Sequence, residues 1–164
     1  MRITIATETC LAALLNNETE RAYEIYSKML PTNSSRNIDR YEVEPYVFAE
    51  YVTSPDHPTE NQASHSWLTG TAVWMYRIGL DYILGFRTDL NSITIAPNIP
   101  SAWKSAKYSR RFRRKNFSVS IINTEGGNSK IKSISVNGKK ADNNTLPLDE
   151  LTGNKFDIQI ELEK

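Results

Sequence analysis

Glu42, Glu44 and Glu50 stand close together among Tyr41, Tyr46, Phe48 and Tyr51. Aromatic rings stack on the apolar faces of sugars, while carboxylates accept from sugar hydroxyls, so this mixture suits a carbohydrate site. Two such carboxylates can also share acid–base work when one is dry enough to hold its proton. The plainer reading is an amphipathic stretch with wet glutamates and buried rings. A second group, Ser66-Trp67-Leu68-Thr69-Gly70-Thr71-Ala72, sits where a helix is expected to begin. Hydroxyls and free N–H groups at a helix start suit an anion such as phosphate. The plainer reading there is N-capping by Ser66, with Gly70 serving close helix packing. His57 and His65 lie eight residues apart across a proline-containing loop, a spacing without zinc geometry, and Cys10 is remote from both. No metal site is expected. GxSxG, GxGxxG and GxxxxGK[ST] are all absent.

Helices are expected to position both groups. Residues 3–15 are apolar on nearly every side (Ile3, Ile5, Ala6, Cys10, Leu11, Leu14, Leu15), which predicts a buried helix. Asn17 and Glu20 have the spacing of a capping box for a second helix, whose face is Ala22, Ile25, Tyr26 and Met29. Pro31, Asn33, Ser34 and Ser35 end it, and residues 31–42 read as a loop. Pro45 stands where a helix can start. A longer loop runs through Pro55 and Pro58 to Ser66. From Trp67 to Leu84 the pattern is helical again, with Gly85 as the stop.

Beyond residue 86 the period changes from 3.6 to 2. Residues 92–96, 117–121, 131–136 and 156–162 alternate, and Asn137-Gly138 is a strong two-residue hairpin signal. One wet face per strand predicts a small antiparallel sheet or sandwich. Charge divides at the same place: residues 1–86 hold 6 Lys/Arg and 11 Asp/Glu, residues 87–164 hold 14 and 8. Two parts are therefore expected, 1–86 helical and 87–164 β. Lys107, Arg110, Arg111, Arg113, Arg114 and Lys115 are interleaved with Tyr108 and Phe112. This reads as a charged sheet face or an inter-domain seam rather than a nucleic-acid site.

With 164 residues, 39% hydrophobic and 16 aromatics among them, the chain can bury an ordinary core. No apolar run of about 18 residues suggests a membrane span. A single cysteine excludes an internal disulfide. Arg2 is the only basic residue ahead of the first apolar stretch and no cleavage pattern follows, so secretion through a signal peptide is not expected. The helical part is small and rich in polar loops, which points to further helices before Met1.

Several segments, in order and with their spacing kept, resemble the C-terminal part of glycoside hydrolase family 94. They are Glu44-Pro45-Tyr46-Val47-Phe48-Ala49, His65 to Trp74, Tyr82-Ile83-Leu84-Gly85, and Ile95 to Trp103. The similarity runs from about residue 5 to residue 140. The family includes cellobiose, cellodextrin and N,N'-diacetylchitobiose phosphorylases. The resemblance implies the last helices of an (α/α)6 barrel followed by a β-domain. It implies attack of inorganic phosphate on the anomeric carbon of a β-glycoside, with inversion, and release of a sugar 1-phosphate. Phosphate is the co-substrate and no cofactor is implied.

Residue by residue, Thr69 and Gly70 match the family's phosphate-contacting pair. Glu50 stands where members often carry a glutamine on the donor sugar; an ionised glutamate only accepts, whereas glutamine also donates. Glu44 and Tyr46 match the Glu-Pro-Tyr motif and line or support the sugar site. The family's general-acid aspartate has no counterpart here, so the chain alone supplies no catalytic residue. Glu60-Asn61, Arg87-Thr88-Asp89 and Arg113-Arg114 also depart from the family pattern. These features imply a truncated member, a gene fragment or remnant, inactive alone. Its expected partners are a β-linked di- or oligosaccharide, phosphate, and whatever covers an exposed barrel face. The alternative is a non-catalytic module that contacts carbohydrate or protein.

Overall fold

The computed structural model describes residues 3–33 and 38–164. They form two compact units, Met1–Gly79 and Leu80–Lys164. In the first, helices α1 (Ile3–Leu15) and α2 (Thr19–Met29) pack together, and α1 also meets α4 (Thr71–Arg77). Between them lie the single turn α3 (Ile38–Tyr41) and two short strands, β1 (Tyr51–Val52) and β2 (Ala63–Ser64).

The first helix forms over the expected residues but is not buried all round. Thr7, Cys10, Ala13 and Leu14 are buried, whereas Ile5 and Leu15 are exposed. The Cys10 thiol donates to the Ala22 carbonyl at 3.2 Å, and burial pushes its pKa up to about 11, so it is a packing group rather than a nucleophile. Asn17 closes α1 instead of opening α2. It adopts a left-handed conformation (φ 60°); its N–H reaches Leu14 O at 3.1 Å, and Glu18 N–H reaches Ala13 O at 2.8 Å. That pair of bonds is a Schellman ending. The expected capping box is therefore absent: the α2 N-cap is Glu18, without a side-chain cap, and its carboxylate takes Arg21 at 2.9 Å.

Three further expectations are corrected. Part of the 31–42 loop is the helical turn α3, anchored by buried Tyr41, whose hydroxyl donates to Val47 O at 3.2 Å. Ser34 and Ser35 lie outside the described residues. Glu44-Pro45 opens a turn rather than a helix, with Val47 N–H on Glu44 O at 3.0 Å. The helix expected from Trp67 starts at Thr71, because Trp67 itself is left-handed (φ 67°). It continues as a π-helical segment, Ile78–Ile83, and stops at Gly85 as expected.

The second unit holds a five-stranded sheet in the order β5 (Ser105–Phe112), β6 (Lys115–Ile122), β10 (Lys155–Leu162), β7 (Ile131–Val136), β8 (Lys139–Lys140). A three-stranded sheet contains β3 (Phe86–Thr88), β4 (Ser92–Ile95) and β9 (Thr145–Pro147) in that order. The larger sheet is mixed, not antiparallel as expected, since β10 runs parallel to β6 and antiparallel to β7. Phe156, Ile158 and Ile160 pair with Phe117, Val119 and Ile121, all buried. Phe117 meets Phe156 and Phe86 at ring distances of 5.3 Å each, joining the two sheets through one aromatic cluster.

Two of the clustered basic residues serve this core. Arg110 lies over the Phe86 ring at 4.9 Å and donates to Asp81 at 3.2 Å; Lys115 donates to the Leu151 and Gly153 carbonyls. Asn137-Gly138 forms the expected hairpin turn, with φ of 51° and 78° between Val136 and Lys139. The β5–β6 turn has the same left-handed pair, made by Arg113 (46°) and Arg114 (65°) without a glycine. A side chain in that conformation costs about 1 kcal/mol relative to glycine. Arg114→Gly is therefore expected to stabilise the chain by about 1 kcal/mol in urea denaturation; an unchanged midpoint would show that the turn is unstrained. Gly85 is opposite in sign: at φ 75°, a Cβ would lie 2.1 Å from the Ala96 carbonyl carbon. Gly85→Ala should destabilise by more than about 2 kcal/mol, read from the same transition.

Candidate functional site

The chain from Glu42 to Gly70 has little regular structure, so side-chain hydrogen bonds fix its course. Thr53 organises the loop that follows β1. Its N–H donates to Gln62 O at 3.0 Å, its hydroxyl accepts from Gln62 N–H at 3.0 Å, and the hydroxyl also donates to Thr59 O. So held, the Gln62 amide donates to the Glu42 carboxylate at 2.6 Å. Arg40, Glu42, His57, Thr59, Glu60 and Gln62 line an open polar cavity of about 350 Å³. His57 is bonded locally through Nδ1 to Thr59, and His65 Nδ1 to Ser64 at 2.8 Å. Among the described residues no group of three ligands is placed for a metal.

A second bond ties the Glu-Pro-Tyr segment to the residues ahead of α4. The Trp67 indole N–H donates to Glu44 Oε1 at 2.9 Å. That donation, helped by the residue's own N–H and by Ser66, holds the Glu44 carboxyl below the usual carboxylate range. Trp67 is 70% exposed, and so is Tyr46. Glu50 is half-buried at the start of β1, where its N–H donates to Ser64 O at 3.2 Å. Tyr51 meets the His65 ring at 5.6 Å. Glu42, Asn61, His65 and Trp67 all have positive φ, from 56° to 67°. Strained backbone of this kind persists where surrounding bonds over-determine it.

The start of α4 differs from the plain capping reading. Thr69, not Ser66, supplies the hydroxyl: its Oγ1 accepts from Thr71 N–H at 3.1 Å and shares a 2.7 Å bond with Thr71 Oγ1. Gly70 is the N-cap and lies at φ −73°. A Cβ built there comes no nearer than 3.9 Å, to Trp74 Cδ1, so close helix packing does not require the glycine. The structure thus links Glu44 to the stretch that leads into Thr69 and Gly70. Among the described residues it joins no partner to the Glu50 carboxylate. Trp67 belongs to the Ser66–Ala72 group read from sequence, but its helical spacing gives no sign of the bond to Glu44.

Comparison with known proteins gives these positions a context. Residues 6–85 match a family model described as the glycosyl hydrolase 94 superfamily, catalytic domain. The chain is 35% identical to an N,N'-diacetylchitobiose phosphorylase of Vibrio furnissii, over 75% of this chain and 15% of that protein. It is 32% identical to a solabiose phosphorylase of Paenibacillus borealis, over 77% and 16%. A 3-O-beta-D-glucopyranosyl-beta-D-glucuronide phosphorylase of the same organism is 28% identical over 87% and 18%. The chain thus spans less than a fifth of the length of these relatives. Among the described residues no helix is long and apolar enough to cross a membrane.

The Glu44–Trp67 bond has a measurable signature. Trp67→Phe removes the indole donor, so the Glu44 carboxyl is expected to titrate at higher pH, closer to an ordinary glutamate. A lowered folded-state value stabilises the fold above the unfolded glutamate's pKa and is lost as pH falls through the folded value. The variant should therefore lose part of the acid-side decline in stability. Carboxyl ¹³C titration of Glu44 checks this; an unmoved midpoint would mean that the indole is not what holds it down.

Proposed function

Because the chain belongs to the glycosyl hydrolase 94 superfamily through residues 6–85, we propose that it is the C-terminal portion of an inverting β-glycoside phosphorylase. In this reading α1, α2 and α4 are late helices of an (α/α)6 catalytic barrel, and residues 87–164 are its β-domain. Phosphate oxygen attacks the anomeric carbon, and the glycosidic C–O bond breaks on the opposite face. An aspartic acid protonates the departing oxygen, and a sugar 1-phosphate leaves. That aspartate has no counterpart in residues 1–164, so the proton donor comes from another part of the enzyme. An enzyme that traps its product as a phosphate ester works where inorganic phosphate is abundant, in the cytoplasm.

The contribution of this chain is to hold the anion. The observation that carries the reading is the start of α4. The Thr69 hydroxyl accepts from Thr71 N–H and shares a 2.7 Å bond with the Thr71 hydroxyl; with Thr71 as the donor in that bond, the Thr69 proton is turned to an anion, and Gly70 is bare where packing does not demand it. Donors of this kind complement a phosphate dianion at a helix start. Glu44, Tyr46 and Glu50 then lie on the sugar side of the reaction. Glu50 accepts from hydroxyls but offers no N–H, which narrows what the donor site can hold. The disaccharide in question is β-linked, of the cellobiose or chitobiose type.

Two measurements test this. The purified chain, incubated with phosphate and cellobiose or N,N'-diacetylchitobiose, is expected to release no sugar 1-phosphate above the blank. Loss of a general acid alone costs on the order of 10²–10⁴ in rate. Turnover would overturn the division of labour. Inorganic phosphate should nevertheless broaden in ³¹P spectra on adding the chain, and Thr69→Val should weaken that binding about tenfold, the worth of one hydrogen bond to a charged group. Equal binding by the variant would overturn the assignment of the anion to Thr69. Gly70→Ala is expected to leave thermal stability within about 0.5 kcal/mol, since the added methyl makes only an ordinary contact, 3.9 Å from Trp74 Cδ1.

A further inference from the structure

The reading above leaves Trp67 without a role, and its geometry is unusual. A large aromatic residue in the left-handed region is a true backbone outlier. Here it sits at φ 67° with 70% of its surface uncovered by residues 1–164. Yet the ring is not free to turn, because its N–H is committed to Glu44 Oε1 at 2.9 Å, with Ser66 on the same carboxylate. An exposed indole held in one orientation, with an ionised carboxylate at its edge, sets two demands on whatever lies against it. The occupant must present apolar C–H groups to the ring face. It must also present hydroxyl or amide donors to the carboxylate at the rim. An apolar protein surface meets the first demand and fails the second, because it would strip water from the carboxylate without replacing the hydrogen bonds. A pyranose with equatorial substituents meets both: its axial C–H groups line the ring faces and its hydroxyls stand around the edge.

We propose that Trp67 is a stacking platform for an equatorially substituted pyranose unit of the substrate, glucose or N-acetylglucosamine in configuration, and that Glu44 is the positioning residue that orients it. The proposal rests on the phosphorylase reading and deepens it, adding a sugar contact two residues before the phosphate-holding Thr69. Tyr46, two residues after Glu44 and equally exposed, is available as a second ring. The left-handed backbone at Trp67 is then the means by which the ring faces outward while the chain proceeds directly into α4.

Saturation-transfer NMR on the 164-residue chain with cellobiose, using sorbitol as a control polyol, tests the platform. Irradiating aromatic protons should transfer saturation to the axial H1, H3 and H5 of one ring and not to sorbitol. Trp67→Ala should reduce that transfer about tenfold while leaving the far-ultraviolet circular dichroism unchanged, as an exposed side chain allows. Glu44→Gln keeps an acceptor for the indole and should retain the transfer; Glu44→Ala should lose most of it. Undiminished transfer in Trp67→Ala, or transfer to sorbitol as strong as to cellobiose, would overturn the platform. The ³¹P measurement separates this failure from that of the parent reading. Phosphate bound with no sugar contact defeats the platform alone, and sugar contact through Trp67 without phosphate binding defeats the phosphorylase reading alone.

Discussion

One hydrogen bond, from the Trp67 indole to the Glu44 carboxylate, sets the geometry on which the candidate site depends. The stretch between α3 and α4 has only a two-residue ladder, Tyr51 with Ser64 and Val52 with Ala63, to define it. A backbone so poor in regular bonds needs side chains to satisfy and direct it. Thr53 closes the loop beyond β1, Gln62 ties that loop to Glu42, and Trp67 ties the approach to α4 to Glu44. These links are exposed or half-exposed, so each is modest alone. Together they hold four non-glycine residues in left-handed conformations.

Periodicity made much of the fold legible. It located α1 and α2, the strands β4, β6, β7 and β10, and the Asn137-Gly138 turn, because each encodes a wet and a dry face or a backbone sign. It was silent on partners. The alternation in Phe156 to Leu162 says that one face is buried, not that the strand lies beside β6 and parallel to it. Asn17 shows a second limit, since the same residue suits a helix start and a left-handed helix end. The bonds from Asn17 and Glu18 back to α1 decide for the end. At the site, residue types and family resemblance together named Thr69, Gly70, Glu44, Tyr46 and Glu50. Neither could show that Trp67 leaves the helix, because nothing in its spacing differs from a first-turn residue.

Charge followed the same rule. The basic residues of β5 and its turn form a cluster in sequence, yet alternation sends them to different surroundings. Arg110 turns toward Asp81 and the Phe86 ring, and Lys115 toward the Leu151 and Gly153 carbonyls, while Lys107 and Arg111 stay in water. A run of like charge in a strand is therefore two populations. One of them here caps carbonyls and rings at the margin of the core, where a guanidinium or ammonium group is more useful than an apolar side chain.

The central position of β10 has a consequence for biosynthesis. Its neighbours β6 and β7 leave the ribosome earlier, and each must wait with an unpaired edge for residues 155–162 to emerge. The larger sheet cannot be completed from its first strands outward, because its middle is translated last. Nascent chains stalled before Lys155 would hold Phe117, Val119 and Ile121 in a β6 that is paired on its β5 side alone, a natural target for chaperone capture until β10 emerges.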